Sequence, residues 1–241
     1  MRRVIGLAVI LAAAASLAAQ APDKELVAVI SGPALARGLV TGLAWDGGAL
    51  IIQTVGVNKD GSRAARYFTS AGPGMELRQL AEMPAGVERY WGMKASRTSP
   101  NGTGRILIKG DAKLPLYGVG SQERRLQDAT DMGGAQTTFE LRLGDLVLHR
   151  RAGTEPYDGE VWSWSPVELG RVAYVNEKGE LWIARADGTG AELVLKGRFT
   201  LPAWSGDGLV LAVAERKDDG AKWEVSVIHL PERHRRSSGR P

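Results

Sequence analysis

The chain contains no cysteine. Disulfide staples are excluded, although an exported protein would be free to use them, and so is the lipid that a bacterial lipoprotein carries on its first cysteine. Histidine is scarce: His149, His229 and His234 stand far apart and match no metal-ligand spacing. There is no Gly-x-Ser-x-Gly, no His-Glu-x-x-His and no phosphate loop. The sequence therefore nominates no catalytic residue, no metal site and no cofactor. After residue 17 no apolar run approaches the roughly 18 residues of a spanning helix. What remains has 44% hydrophobic and 24% charged residues, the balance of a soluble globular protein.

The two ends differ from the middle. Met1-Arg2-Arg3 is a positive start, residues 4–17 are apolar, and the small residues Ala18, Ala19 and Ala21 follow. This order reads as a secretory signal peptide over 1–21, cut between 18 and 21. The expected location is the periplasm or the outside of the cell, with no membrane span after cleavage. The tail 232–241 holds four arginines and no apolar residue to bury, so disorder is expected there. Of the formal net charge of +4, the signal supplies +2 and the tail +3, which leaves the middle at about −1. The basic balance is thus a property of the ends, and nucleic acid is not an expected partner.

Residues 22–231 carry an internal repeat. Trp164-Ser165-Pro166 precedes the apolar run 171–175, and Trp204-Ser205-Gly206-Asp207-Gly208 precedes the run 209–213. Each has the form aromatic, turn, β-rich strand, and a second strand follows, with Trp182 in one copy and Trp223 in the other. The first then turns at Asp187-Gly188. Trp45-Asp46-Gly47-Gly48 opens an earlier copy, with later strands at 66–69 and 76–80. Another copy uses Ser99-Pro100-Asn101-Gly102 with Thr98 in the tryptophan slot, then strands at 106–108, 116–119 and 124–126. A short, degraded copy is expected from Phe139, with Leu146-Val147-Leu148 as a hairpin strand. Asp-Gly and Asn-Gly provide the positive φ angles of tight turns. A four-stranded blade cannot bury both apolar faces alone, whereas blades stacked round an axis can.

The order Pro202-Ala203-Trp204-Ser205-Gly206-Asp207-Gly208, together with Ala186-Asp187-Gly188-Thr189, resembles the WD40-like (PD40) repeat of TolB-type β-propellers. The likeness is densest over 160–230, present over 41–126 and slight over 130–158. It implies an all-β propeller of about five four-stranded antiparallel blades, one of them degenerate. The last copy lacks a fourth strand, and residues 25–30 are a strand without a blade. They are expected to pair into the last blade and close the ring, since an open edge invites association.

Trp45, Trp164, Trp182, Trp204 and Trp223 fall in repeat slots and are expected to wedge between blades, with Asp187, Gly188, Asp207 and Gly208 forming turns. Tyr90, Trp91 and Trp162 lie outside the repeated slots and are the speculative ligand-binding residues of a rim or channel. Asn58 to Ser62 superficially resembles a calcium loop but has glycine at the wrong position, so a hairpin is expected. The functional expectation is a non-catalytic scaffold presenting loops to an envelope protein, a peptide or a glycan. The alternative is a propeller hydrolase or lyase working in the central channel.

Overall fold

The structure, a computed structural model, describes residues 22–31, 39–58, 60–70, 76–94, 96–110, 138–152, 160–217 and 222–231. The signal segment, the basic tail and the strands expected at 116–119 and 124–126 lie outside the described residues. The elements are β1 (Asp23–Ser31), β2 (Leu39–Asp46), β3 (Ala49–Val57), β4 (Arg63–Ser70), β5 (Arg78–Leu80), α1 (Ala85–Lys94), β6 (Ile106–Gly110), β7 (Thr138–Leu143) and β8 (Leu146–Ala152). They continue with β9 (Trp162–Trp164), β10 (Arg171–Val175), β11 (Leu181–Arg185), β12 (Glu192–Leu195), β13 (Phe199–Trp204), β14 (Val210–Lys217) and β15 (Lys222–His229). Among the described residues the chain is all-β apart from α1 and one 3-10 turn, Val167–Leu169.

Four antiparallel sheets result: β2-β3-β4-β5, β6-β7-β8, β9-β10-β11-β12 and β13-β14-β15-β1. They stack through their faces. Strand β14 shows why its apolar run is continuous rather than alternating. Leu211 and Val213 enter the core shared with β9–β12, while Ala212 and Ala214 enter the core shared with β2–β5. Period-two alternation thus sorts one strand's side chains into two interfaces. A third core joins β6–β8 to β9–β12, through Ile106, Leu141, Leu143 and Leu148 against Trp162, Trp164 and Tyr174.

The repeat's physical unit is a serine turn. Ser205 N–H donates to Val210 O and Val210 N–H donates to the Ser205 hydroxyl. Asp207 Oδ1 accepts from the Ser205 hydroxyl and from Leu209 N–H. Ser165 makes the same reciprocal pair with Arg171, and Ser99 makes it with Gly104. Asn101 Oδ1 takes the place of Asp207, accepting from Ser99 and Thr103. Gly208 has φ +70°, the left-handed conformation that such a turn requires.

These turns correct the count of copies. The Ser99 turn links a rudimentary inner strand, seen as a Thr98–Arg105 bridge, to β6. Strand β7 then pairs with β6 (Ile106 with Leu143, Ile108 with Leu141), and β8 pairs with β7. The copy expected to open a blade of its own at Phe139 instead completes the sheet begun at Ile106. Its apolar residues alternate in register with Ile106 and Ile108, which puts all of them on one buried face. Among the described residues there are four sheets, not five.

At the other end, β1 pairs antiparallel with β15 from Asp23–His229 to Ser31–Lys222, with a bulge at Val27. Val27, Ala28 and Ile30 are 1–5% exposed and pack with β2, β3 and β13. Lys24 crosses the sheet to Glu215 at 2.9 Å and lies 5.0 Å over the Phe199 ring. The N-terminal strand is therefore the fourth strand of the last sheet.

Candidate functional site

Two regions gather chemistry. The first surrounds α1. Edge strand β13 touches both β2 and β9, and α1 lies against β2 and β9. The helix starts after Pro84, whose carbonyl accepts from Val87 N–H. Val87 packs on Ala44 and Ile51, the face of β2–β5 turned away from the last sheet. Val87, Tyr90, Trp91 and Lys94 follow the i, i+3, i+4, i+7 spacing of one helical face.

Tyr90 and Trp91, expected at a rim or channel, belong to this helix. Tyr90 Oη donates to Trp204 O at 2.9 Å. Burial holds its phenol well above the ordinary value, against a smaller opposing effect of the Ser163 hydroxyl. Trp91 Nε1 donates to Leu43 O at 3.1 Å, and a Cβ at Gly42 would stand 2.7 Å from the Trp91 ring. Both aromatics therefore fasten the helix to the sheets. Trp162 is fully buried in the core between β6–β8 and β9–β12, and its Nε1 and that of Trp164 both point to Ser96 O, at 3.4 and 2.6 Å. Lys94 ends the helix only 4% exposed, and burial pushes its amine down to about 7. No sequence pattern had singled it out.

The repeat tryptophans lie between sheets or against them. Trp45 is half-buried, and its Nε1 donates to Ala203 O of the last sheet at 3.1 Å. Trp204 sits in the core with β9–β12, Trp164 in the core with β6–β8, and Trp223 in the core with β2–β5. Trp182 stacks on Tyr174 with centroids 6.5 Å apart. Asp187 Oδ1 accepts from Thr189 N–H and hydroxyl, and Gly188 has φ +87°. Asp60 Oδ1 binds Ser62 in the same way, which makes the segment 58–62 a hairpin turn.

The second region is a groove of about 420 Å³ where the end of β8 meets the β10–β11 turn and the start of β13. His149, Arg151, Glu160, Glu177 and Thr200 are among its polar lining groups, and Val161, Val175 and Phe199 among its apolar ones. His149 Nδ1 is 2.9 Å from Val175 O. With Nδ1 carrying the proton, Nε2 is left as an acceptor. Arg151 pairs with Glu160 at 3.3 Å, both about one-third exposed.

Glu160 O also accepts from Leu201 N–H at 2.9 Å and Thr200 Oγ1 at 3.3 Å. Those bonds depend on a bulge in β13 between Thr200 and Ala203, where Leu201 has φ +55°. It is the one non-glycine residue with positive φ among the described residues. That conformation costs about 1–2 kcal/mol, and the two bonds to Glu160 help hold it. The sequence contained no motif for this groove, because its groups come from four separate segments. The oddity visible beforehand was Leu201 before Pro202, which forces an irregular backbone into a strand.

No family model matches the chain, and no curated protein matches it. Among solved structures it is similar to the β-propeller domain of the Trilobed protease from Pyrococcus furiosus, described as having an open velcro topology, at 12% identity and a TM-score of 0.29. The similarity covers 80% of this chain and 55% of that one, so the chain spans about half the length of the solved structure.

Proposed function

We propose that the chain is an exported β-propeller of the TolB-like, WD40-like repeat type that acts as a binding scaffold in the cell envelope. Its blades are the four stacked sheets, and β1 is the strand that closes the ring. Its ligand, a peptide or glycan of an envelope component, lies in the groove lined by His149, Arg151, Glu160, Glu177 and Thr200. One observation carries this reading: a concavity of about 420 Å³ is lined by Thr200, directly before buried Leu201, whose strained backbone has φ +55°. Strained residues cluster where ligands are held, and this volume is within the range of small-ligand sites. Both charge signs line it together with the apolar Ala152, Val161, Val175 and Phe199, which suits an uncharged or zwitterionic segment better than a polyanion. The rival placement, an enzyme working in a central channel, has against it that α1 lies where β2, β9 and β13 converge.

The test is photo-crosslinking in cells that export the protein, from a benzophenone side chain at Glu177 and, separately, at exposed Leu209 on a distant turn. A partner captured from position 177 and not from 209, and lost when Thr200→Trp fills the groove, supports the reading. No adduct at 177, or the same adducts from both positions, overturns it.

A further inference from the structure

Lys94 presents a chemical group that the binding reading does not use. Its side chain is 4% exposed at the end of α1. Among the described residues its amine has no hydrogen-bond or ion-pair partner. The strands packed on the helix offer no counter-charge near it. Strand β9 is Trp162-Ser163-Trp164, and β2 has a single ionisable residue, Asp46. Asp46 lies at the opposite end of the helix, where a Cβ on Gly86 would meet its Oδ1 at 2.9 Å. Eight residues of helix put Lys94 about 12 Å further along. Across the helix face stand Tyr90 and Trp91, both already committed to backbone carbonyls of the sheets.

An ammonium ion in such a place costs far more than a neutral amine. Burial is the whole cause of the lowered proton affinity at Lys94, with no charged neighbour contributing. The amine is also absent from the fully occluded, unpartnered polar atoms, so its tip keeps a sliver of accessible surface. A desolvated lysine with an available lone pair is the type of group that attacks carbonyl carbon.

We propose that Lys94 is a carbonyl-accepting site that takes a small aldehyde or ketone as an imine. Lys94 Nζ attacks the carbonyl carbon, a C–N bond forms, and the carbonyl oxygen takes up the proton that nitrogen loses. The carbinolamine then expels that oxygen as water, leaving a C=N bond between Nζ and the former carbonyl carbon. No oxidant or reductant enters this step. With Lys94 only 4% exposed, the partner is a compound of a few carbon atoms. The site is independent of the groove and stands or falls separately from it.

The experiment treats the folded, full-length protein with glycolaldehyde, traps imines with cyanoborohydride, and maps modified lysines by peptide mass spectrometry at pH 6, 7 and 8. Lys94 is expected to be alkylated at pH 7 at least about tenfold faster than the exposed Lys178 and Lys196, because far more of it is unprotonated there. It is expected to gain little between pH 7 and 8. The proposal is overturned if Lys94 stays unmodified at pH 8 while Lys178 and Lys196 react. It is equally overturned if Lys94 reacts only after denaturation, or rises with pH in parallel with those two.

Discussion

Replacing Lys94 with methionine gives the sharpest thermodynamic test of the packing around α1. Burial takes the amine from 10.5 to about 7. At about 1.4 kcal/mol per pH unit, that fall corresponds to a cost of up to about 5 kcal/mol for holding the ammonium form in the folded chain. Below pH 7 both the folded and the unfolded chain are protonated at this site, so the cost is present in full. Between about pH 7 and 10.5 the unfolded chain still carries a proton that the folded chain has released, and stability therefore rises with pH. Above that window both forms are neutral and the cost vanishes. Lys94→Met keeps an unbranched side chain that adapts to irregular space and removes the titrating group. The variant is expected to be more stable than the wild type by several kcal/mol at pH 6.5, with the gap narrowing by about 2 kcal/mol between pH 7 and 9. Urea denaturation of both proteins at a series of pH values and fixed ionic strength measures this, provided the m-values agree. A variant less stable than the wild type at pH 6.5 would refute an unpaired buried amine, as would a gap that stays constant from pH 7 to 9.

Three further outcomes follow from the packing. Deleting residues 23–30 removes Val27, Ala28 and Ile30 from the core and bares the edge of β15. A loss of more than about 3 kcal/mol and concentration-dependent association in light scattering are expected, and an unchanged melting temperature would contradict the pairing of β1 with β15. Gly42→Ala drives a methyl group to 2.7 Å from the Trp91 ring and should cost about 1–3 kcal/mol. Adding Trp91→Phe should restore much of it, so additive losses in the double-mutant cycle would show that the two do not touch. Asp207→Ala deprives Leu209 N–H of its side-chain acceptor and leaves the Ser205 hydroxyl with Val210 O alone, and should cost about 1–2 kcal/mol. Asp207→Asn should cost less, since Asn101 fills the same role in the Ser99 turn, and equal losses for both variants in thermal unfolding would contradict this.

Local chemistry made the hairpins legible. Ser205, Asp207 and Gly208 specify a turn within seven residues, and the apolar runs beside it could only be strands. The pairing of β1 with the last sheet was legible too, because a blade short of one strand and a strand short of a blade imply each other. What depended on distance in the chain was not legible. Strands β6 and β7 are separated by residues 111–137, so Phe139 looked like the start of something new rather than the partner of a strand ending at Gly110. Helix α1 escaped because its buried face consists of Val87, half-buried Tyr90 and Trp91, and a lysine, with Gly86 and Gly92 lowering helix propensity. Pro84 ahead of it and Glu88 in its first turn were the available signals. The groove escaped because Arg151, Glu160, Glu177 and Thr200 meet only after three sheets have stacked.

The tryptophan slots and the helix are two aspects of one arrangement. Each inner-strand tryptophan packs against the sheet that precedes its own. Trp164 reaches β6–β8, Trp204 reaches β9–β12, and Trp45 reaches β13–β14 through Ala203 O. By that rule the residue at position 98 should pack against β2–β5. The face of β2–β5 that would receive it, marked by Ala44 and Ile51, is instead covered by Val87 of α1, with Tyr90 and Trp91 beside it. A tryptophan at 98 would have no free sheet to wedge against, and Thr98 stands there exposed. The segment that leaves the helix is tied to the neighbouring sheet as well, since Ser96 O, two residues beyond the helix end, accepts from both Trp162 and Trp164. The break in the repeat at Thr98 therefore marks the place where a helix, rather than a neighbouring sheet, fills the interface.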